Sequence, residues 1–341
     1  MANGKKAFIT GISGQDGSYL TELLLDKGYE VAGFVRRTAA NEPNNIEHLK
    51  HEIKIYYGDL NWPESIALAL LDFKPDEIYN LAAQSSPLAS FYDPIGTMMI
   101  TGVGAVQVFE RAGQVVPHAK IYQASTSEMF GEPQQEPQNE RTPLVPANPY
   151  AAAKAYAHHM ASIARRYKNN PQFISAGILF NHESPRRGIN FITRKISVAV
   201  ACIKNNKREG IPLNEFGEPI VQNGKVKIGY LKAERDWGYA PDYVEAMWLI
   251  LQQEKADEFV IATGEVHTVE DFCKEAFAVA GLDYKDYIVT DPKFVPPVYT
   301  GPLNGDYSKA RKILGWQPKT NFKDLVRIMI HSDMAKFSAT R

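Results

Sequence analysis

The sequence predicts an α/β protein: a doubly wound parallel sheet followed by a smaller mixed α/β lobe. Three observations carry that prediction. Short apolar runs alternate with amphipathic stretches through the first half of the chain, as strands buried on both faces and their crossover helices require. The first of these runs enters the first helix through a turn with glycine at 11, 14 and 17. From about residue 186 the alternation decays into loops, helices and short strands, including the polar stretch 204–225.

In chain order, strands are predicted at 6–10, 30–35, 53–57, 77–81, 120–124 and 173–179. Helices are predicted at 17–27, 63–73, 97–112 and 149–167, each with apolar residues at three- and four-residue spacing,. Residues 236–253 read as a helix-bearing return to the sheet. The expected division is therefore 1–180, with a return near 236–263, for the first domain, and 181–235 with 264–341 for the second lobe.

Composition sets outer limits. At 341 residues, 44% hydrophobic and 23% charged, the chain is long enough to bury one large core and a smaller one. The 38 basic residues balance 39 acidic ones, a net charge of -1, so no overall field recruits nucleic acid or an anionic membrane. An anionic ligand must be held by a local cluster. Cys202 and Cys273 lie in apolar, helix-like stretches without a CxxC pattern, so they read as core thiols and no metal site is expected. No apolar run approaches the roughly 18 residues of a membrane span, and no signal-sequence core opens the chain. The expected location is the cytoplasm.

The turn Gly11-Ile12-Ser13-Gly14-Gln15-Asp16-Gly17 lies between the first strand and first helix. Gly11 permits the tight turn, Gly14 lets backbone approach a pyrophosphate, and Gly17 lets the helix pack closely. The helix N-terminus then offers free N–H groups and a partial positive charge to phosphates. This is the Rossmann arrangement for a dinucleotide. The second strand ends in Val35-Arg36-Arg37-Thr38, with no carboxylate before Glu42, which favours the 2′-phosphate of NADP over the free ribose of NAD. Asp59 and Leu60 after the third strand, and Leu81, Ala82, Ala83, Gln84 and Ser85 after the fourth, occupy strand ends where the adenine edge and nicotinamide ribose would lie.

Tyr150 and Lys154 stand four apart in a helix-like stretch and project from one face,. A phenol is a poor base at neutral pH; a neighbouring ammonium and a cationic nicotinamide favour its phenolate. Thr126 and Glu128 follow the fifth strand, where α/β sheets present catalytic groups. The Thr126 hydroxyl suits a sugar oxygen that Tyr150 deprotonates. The carboxylate adds a second proton-transfer group, which a simple alcohol dehydrogenase does not require.

Several runs together resemble the GDP-mannose 4,6-dehydratase family, within the extended short-chain dehydrogenase/reductases. They are the turn through Leu20, Val35-Arg36-Arg37, 81–85, 123–128, Tyr150 with Lys154, Asn181-His182-Glu183-Ser184-Pro185-Arg186-Arg187-Gly188, Phe191 to Ile196, Arg235-Asp236-Trp237-Gly238 and 258–264. The resemblance implies oxidation of a nucleotide sugar at C4 by NADP with Tyr150, Lys154 and Thr126. Glu128-assisted loss of water across C5 and C6 follows, then hydride return to C6. It implies His182 and Arg187 near the cofactor, and a homodimer or homotetramer built on the stretch 97–112 and the helix after Tyr150. Ser85, Asn181, Arg186, Arg194, Lys195 and Arg235 are the candidates for the nucleotide sugar, since Arg forks suit diphosphate oxygens.

Alternatives remain open within the fold. A nucleotide-sugar epimerase, decarboxylase or reductase shares Tyr150 and Lys154 but does not need Glu128 to eliminate water, and a non-enzymatic Rossmann sensor can dispense with the pair altogether. The sequence departs from the family where an Arg and a Glu help hold guanosine: Pro296 and Tyr299 stand there, and Gly229-Tyr230-Leu231-Lys232 replaces the family's Gly-Asn-x-Asp. A GDP-heptose or a pyrimidine nucleotide sugar is the alternative substrate.

Overall fold

In the computed structural model, residues 4–36, 45–167, 171–207, 209–295, 297–298 and 300–338 are described. The chain opens with β1 (Lys6–Thr10), α1 (Gln15–Asp26), β2 (Glu30–Val35), β3 (Lys54–Tyr57), α2 (Pro63–Phe73) and β4 (Glu77–Asn80). It continues through α3 (Pro87–Tyr92), α4 (Pro94–Thr97), α5 (Gly104–Val115), β5 (Lys120–Thr126), α6 (Pro149–Arg165) and β6 (Ile174–Leu179). Then follow β7 (Asn181–Glu183), α7 (Ile192–Lys204), β8 (Val226–Ile228), β9 (Glu234–Tyr239), α8 (Ala240–Leu251) and β10 (Glu258–Ile261). The last elements are β11 (Val266–Thr268), α9 (Val269–Val279), β12 (Ile288–Thr290), α10 (Ser308–Leu314) and α11 (Phe322–Lys336).

Seven strands form one parallel sheet in the order β10-β6-β5-β4-β1-β2-β3. Strand order reverses between β1 and β4, and the carboxyl ends there open the crevice that such sheets use for ligands. The two-residue strand period sorts the core onto two faces. Ile9, Tyr79 and Tyr122 pack with Leu20 and Leu24 of α1, Met247 and Ile250 of α8, and Trp316. Phe8, Ile78 and Ile121 pack with Ile66 and Leu70 of α2, Val108 and Phe109 of α5, and Ala157 and Ala161 of α6. The inner strands are thus covered on both sides and nearly all their residues are buried, whereas β3 at the edge is partly exposed.

The smaller sheets, β11-β9-β7 and β12-β8, lie beside a separate core. Ile196 and Val200 of α7, Phe272 and Phe277 of α9, Leu325 and Met329 of α11, and Trp237 of β9 fill it. The polar stretch 204–225 is turned on Asn214, whose Oδ1 accepts the N–H groups of Phe216 and Glu218. Asp236, buried on β9, accepts the N–H and hydroxyl of Thr263 and the N–H of Gly264 and Gly305. It fastens β9 to the segments that follow β10 and precede α10. Burial pushes this carboxyl up to about 6 against the pull of those donors.

Two differences from the sequence reading bear on the site. The single helix expected at 97–112 begins at Pro94 and widens into a π-type turn over Met98–Val103 before α5. Gly102 sits in that turn, where a Cβ would stand 3.3 Å from the Ala153 carbonyl of α6; the bare backbone permits the close approach. Strand β5 runs on to Thr126, beyond the expected 124, because Ser125 and Thr126 continue the ladder to Ile178 and Leu179 of β6. That extension carries Thr126 to the rim of the crevice.

Candidate active site

The glycine turn closes tightly on β1 and β4. Gly11 has φ +71°, and a Cβ on it would lie 2.9 Å from the Ala82 nitrogen. A Cβ on Gly17 would lie 2.4 Å from the Gly11 carbonyl oxygen, so α1 could not approach the turn with any larger residue. Gly14 precedes α1 and no side chain caps it, leaving the first-turn amides for an anion. The turn therefore fits a dinucleotide pyrophosphate on its own geometry. Ile12 is wholly buried against Gly33 and offers a ligand only backbone; the carbonyl of the half-buried Ser13 accepts from Asn45.

Around the crevice, Thr10 donates to Asn80 and receives the N–H of Ala82, while the Gln84 N–H donates to Thr101 Oγ1. Leu81 and Ala83 are half-buried and Ser85 is exposed. Asp59 accepts the Asn61 N–H, and Leu60 is buried in the core under Gly104, so its side chain belongs to packing. Arg36 is exposed at the end of β2; Arg37 lies outside the described residues, as do Pro296 and Tyr299.

Gln15 and Asp16 tie this turn to β7. Gln15 Nε2 donates to the His182 carbonyl at 3.0 Å, and its Oε1 accepts the Ser184 hydroxyl at 2.8 Å. His182 places Nε2 2.9 Å from Asp16 Oδ2 and Nδ1 2.7 Å from the Phe180 carbonyl. Both ring nitrogens face acceptors, which suits an imidazolium. Burial raises the Asp16 carboxyl, but the charge and hydrogen bond of His182 outweigh it and hold Asp16 at about 2. Burial lowers His182, and Asp16 more than reverses that, leaving the imidazole above its ordinary value.

The linkage has two limbs. Asp16 contributes stability above its unfolded pKa of about 3.9, lost as pH falls toward about 2,. His182 contributes stability below about 6.5, lost as pH rises through its raised pKa,. Comparison with a variant that lacks the imidazole separates the His182 limb from titrations the two proteins share. We expect the stability advantage of the wild type over His182→Gln, measured by urea unfolding, to shrink between about pH 6 and about pH 9. A difference constant over that interval overturns the charged pair.

Thr126, Glu128, Tyr150 and Lys154 converge at the end of β5 and the start of α6. Thr126 closes β5, and its Oγ1 accepts the Glu128 N–H at 3.3 Å. Tyr150 opens α6 and is buried beside Thr126, close enough to feel the charges of Glu128, Arg187 and Asp16. Lys154, one turn on, donates to the Ala124 carbonyl at 2.7 Å, its Nζ 5.9 Å from the Tyr150 ring centre. Burial governs both groups. It pushes Tyr150 well above its ordinary value, with the Thr126 hydroxyl pulling back. It also brings Lys154 down to about 8, Asp16 opposing.

On the other side of the crevice, a cavity of about 130 Å³ is lined by Asn181, Glu183, Phe191, Thr193, Arg235 and Trp237 among others. Arg235 is anchored by the Glu234 carbonyl and the Thr300 hydroxyl and still borders the cavity. Glu183 was not singled out by sequence reasoning. It is buried, accepts the Thr193 hydroxyl and faces Arg187 Nε at 3.2 Å; its place in the run from Asn181 to Gly188 was the cue. Arg187 also stacks on Phe191.

The cationic candidates do not form one cluster. Arg186 reaches Ser18 and Glu22 of α1 and stacks on Tyr19, on the dinucleotide side. Lys195 is buried between both carboxylate oxygens of Glu215 and the Phe294 ring. Arg194 departs from the diphosphate expectation: it is buried against Asp333 of α11, which also accepts from Ser197. Adjacent positions on a helix point about 100° apart, so Arg194 and Lys195 cannot serve one ligand from one face.

Among the described residues, no group of three or more His, Cys, Asp or Glu is arranged to hold a metal ion, and no helix is long and apolar enough to cross a membrane. A sequence model of the family described as GDP-mannose 4,6 dehydratase matches residues 8–329. GDP-mannose 4,6 dehydratase 2 of Arabidopsis thaliana is 44% identical over 345 residues, covering 97% of this chain and 87% of that protein. The Homo sapiens GDP-mannose 4,6 dehydratase is 42% identical over 355 residues, covering 96% and 91%. Among solved structures, the UDP-glucose 4-epimerase of Thermus thermophilus, in complex with NAD, matches with a TM-score of 0.80 at 23% identity, covering 98% and 100%. At that identity the likeness concerns the fold.

Proposed function

Since the chain belongs to the GDP-mannose 4,6-dehydratase family, we propose that it converts GDP-mannose to the 4-keto-6-deoxy sugar with NADP as cofactor. The observation that carries this reading is the carboxylate of Glu128 beside Tyr150 at the end of β5. Two proton-transfer groups in one crevice match a reaction with two proton transfers, one at O4 and one at C5.

Tyr150 takes the O4 proton, and the Thr126 hydroxyl holds the same oxygen. Lys154, fixed on the Ala124 carbonyl, supports the phenolate, which burial otherwise disfavours. A bound nicotinamide dinucleotide supplies the hydride acceptor for C4 and the donor for C6. The C4 carbonyl acidifies the C5 proton, which Glu128 removes and delivers to the C6 hydroxyl as it leaves as water. As hydride reaches C6, C5 takes back a proton and Tyr150 gives up the one it drew from O4, so the sum is loss of one water with no net oxidation. The first-turn amides of α1 hold the pyrophosphate, and Arg36 and Arg37 the 2′-phosphate. Asn181 and Arg235 border the cavity for the sugar nucleotide.

The test is a panel of GDP-, CDP-, UDP- and dTDP-sugars with NADP+ or NAD+, followed by mass spectrometry for loss of one water. GDP-mannose with NADP+ is expected to react fastest. A different nucleotide turned over faster shows that Pro296 and Tyr299 set a new specificity; no water loss from any member overturns the dehydratase reading.

We also propose a homodimer through α4, the widened turn and α6. These segments pack together and expose Ile95, 77% accessible, with Met99, Tyr156 and Ile163, an apolar face suited to a second copy. Light scattering is expected to give at least twice the chain mass; a monomer at micromolar concentration overturns it.

A further inference from the structure

The geometry points to Asn148 as the residue that positions the Glu128 carboxylate against Tyr150, an inference that rests on the dehydratase reading. Asn148 is nearly buried, at 9% exposure. Its Oδ1 accepts the Ala151 N–H at 2.8 Å and so caps α6, the helix that carries Tyr150 and Lys154. Its Nδ2 donates to Glu128 Oε2 at 3.1 Å. One planar amide therefore joins the helix of the phenol to the carboxylate, across 20 residues of chain.

Capping alone does not call for asparagine, since serine or aspartate caps a helix equally well. What asparagine adds is an acceptor and a donor on one rigid fork. Thr126 fixes the Glu128 backbone through the N–H, and Asn148 fixes its side chain. With Oε2 held by Asn148, Oε1 receives no hydrogen bond from protein among the described residues. Oε1 is then the oxygen that takes the C5 proton as the C5–C6 double bond forms and the C6–O bond breaks, and that returns the proton to the departing hydroxyl. Asn148 does not touch the sugar in this scheme. It acts through Glu128.

Asn148→Ser and Asn148→Asp, in the full chain with NADP+ and GDP-mannose, separate this role from capping. Serine keeps a cap but is too short to reach both partners, and aspartate keeps the cap while facing Glu128 with an anion. In single-turnover reactions, Asn148→Ser is expected to form reduced cofactor at the wild-type rate while water loss slows about tenfold to a hundredfold, the weight of one hydrogen bond to a charged group. Reduced cofactor then accumulates, and a C5-deuterated substrate shows a larger isotope effect on water loss than in the wild type. Asn148→Asp is expected to slow water loss further still. Water loss at the wild-type rate in Asn148→Ser, or equal slowing of both steps, overturns the inference and leaves Asn148 a helix cap. A wild type that loses no water from any nucleotide sugar is a distinct result: it overturns the dehydratase reading and this inference with it.

Discussion

Glu128→Gln is expected to slow water loss by about a hundredfold to ten-thousandfold, the usual contribution of a positioned acid or base, while the protein still reduces its cofactor. Glutamine preserves the shape of the side chain, and its amide can rotate to keep an acceptor toward Asn148. What disappears is the group that carries the C5 proton. Tyr150→Phe is expected to fail earlier, at the appearance of reduced nicotinamide, because it removes the oxygen that takes the O4 proton. Stopped-flow absorbance of the reduced cofactor reports the first step, and mass spectrometry of the product the second. Unimpaired water loss in Glu128→Gln would assign the elimination to another group.

Asp333→Ala is expected to destabilise the fold by about 3–5 kcal/mol, because it strands a buried guanidinium. Arg194 and Asp333 are 5% and 0% exposed and join α7 to α11. A pair exchanged whole for apolar residues is a different matter, since the desolvation of both charges is relieved together. Arg194→Met with Asp333→Leu is therefore expected to recover most of the loss. Urea unfolding of the single and double variants measures both. A cost below about 1 kcal/mol for Asp333→Ala would make the pair equivalent to an exposed one.

Much of the architecture was legible in the sequence because it rests on short-range regularities. Strand and helix periods declared β1 through β6, and the spacing of Gly11, Gly14 and Gly17 marked the turn, since the backbone there leaves no room for a Cβ. Tyr150 and Lys154 declared themselves by helical spacing, and Thr126 and Glu128 by standing at a strand end. The return of the chain to the sheet was anticipated as a segment, but the pairing of Glu258–Ile261 with β6 came from the structure.

What only the tertiary structure decided concerns partners. Arg194 and Lys195 read alike as free cations until Asp333, 139 residues from Arg194, and Glu215 were placed against them. Asp16 and His182 are separated by 166 residues, yet their contact sets the charge of both. Burial, which no local pattern measures, raises the Tyr150 phenol against the hydrogen bond of Thr126. The amide of Asn148 joined two motifs that the sequence presents as unrelated. Local periodicity specifies which face of an element is apolar. Which polar group that face meets, and in what dielectric, is fixed by contacts between segments distant in the chain, where electrostatic energies depend most steeply on separation and burial.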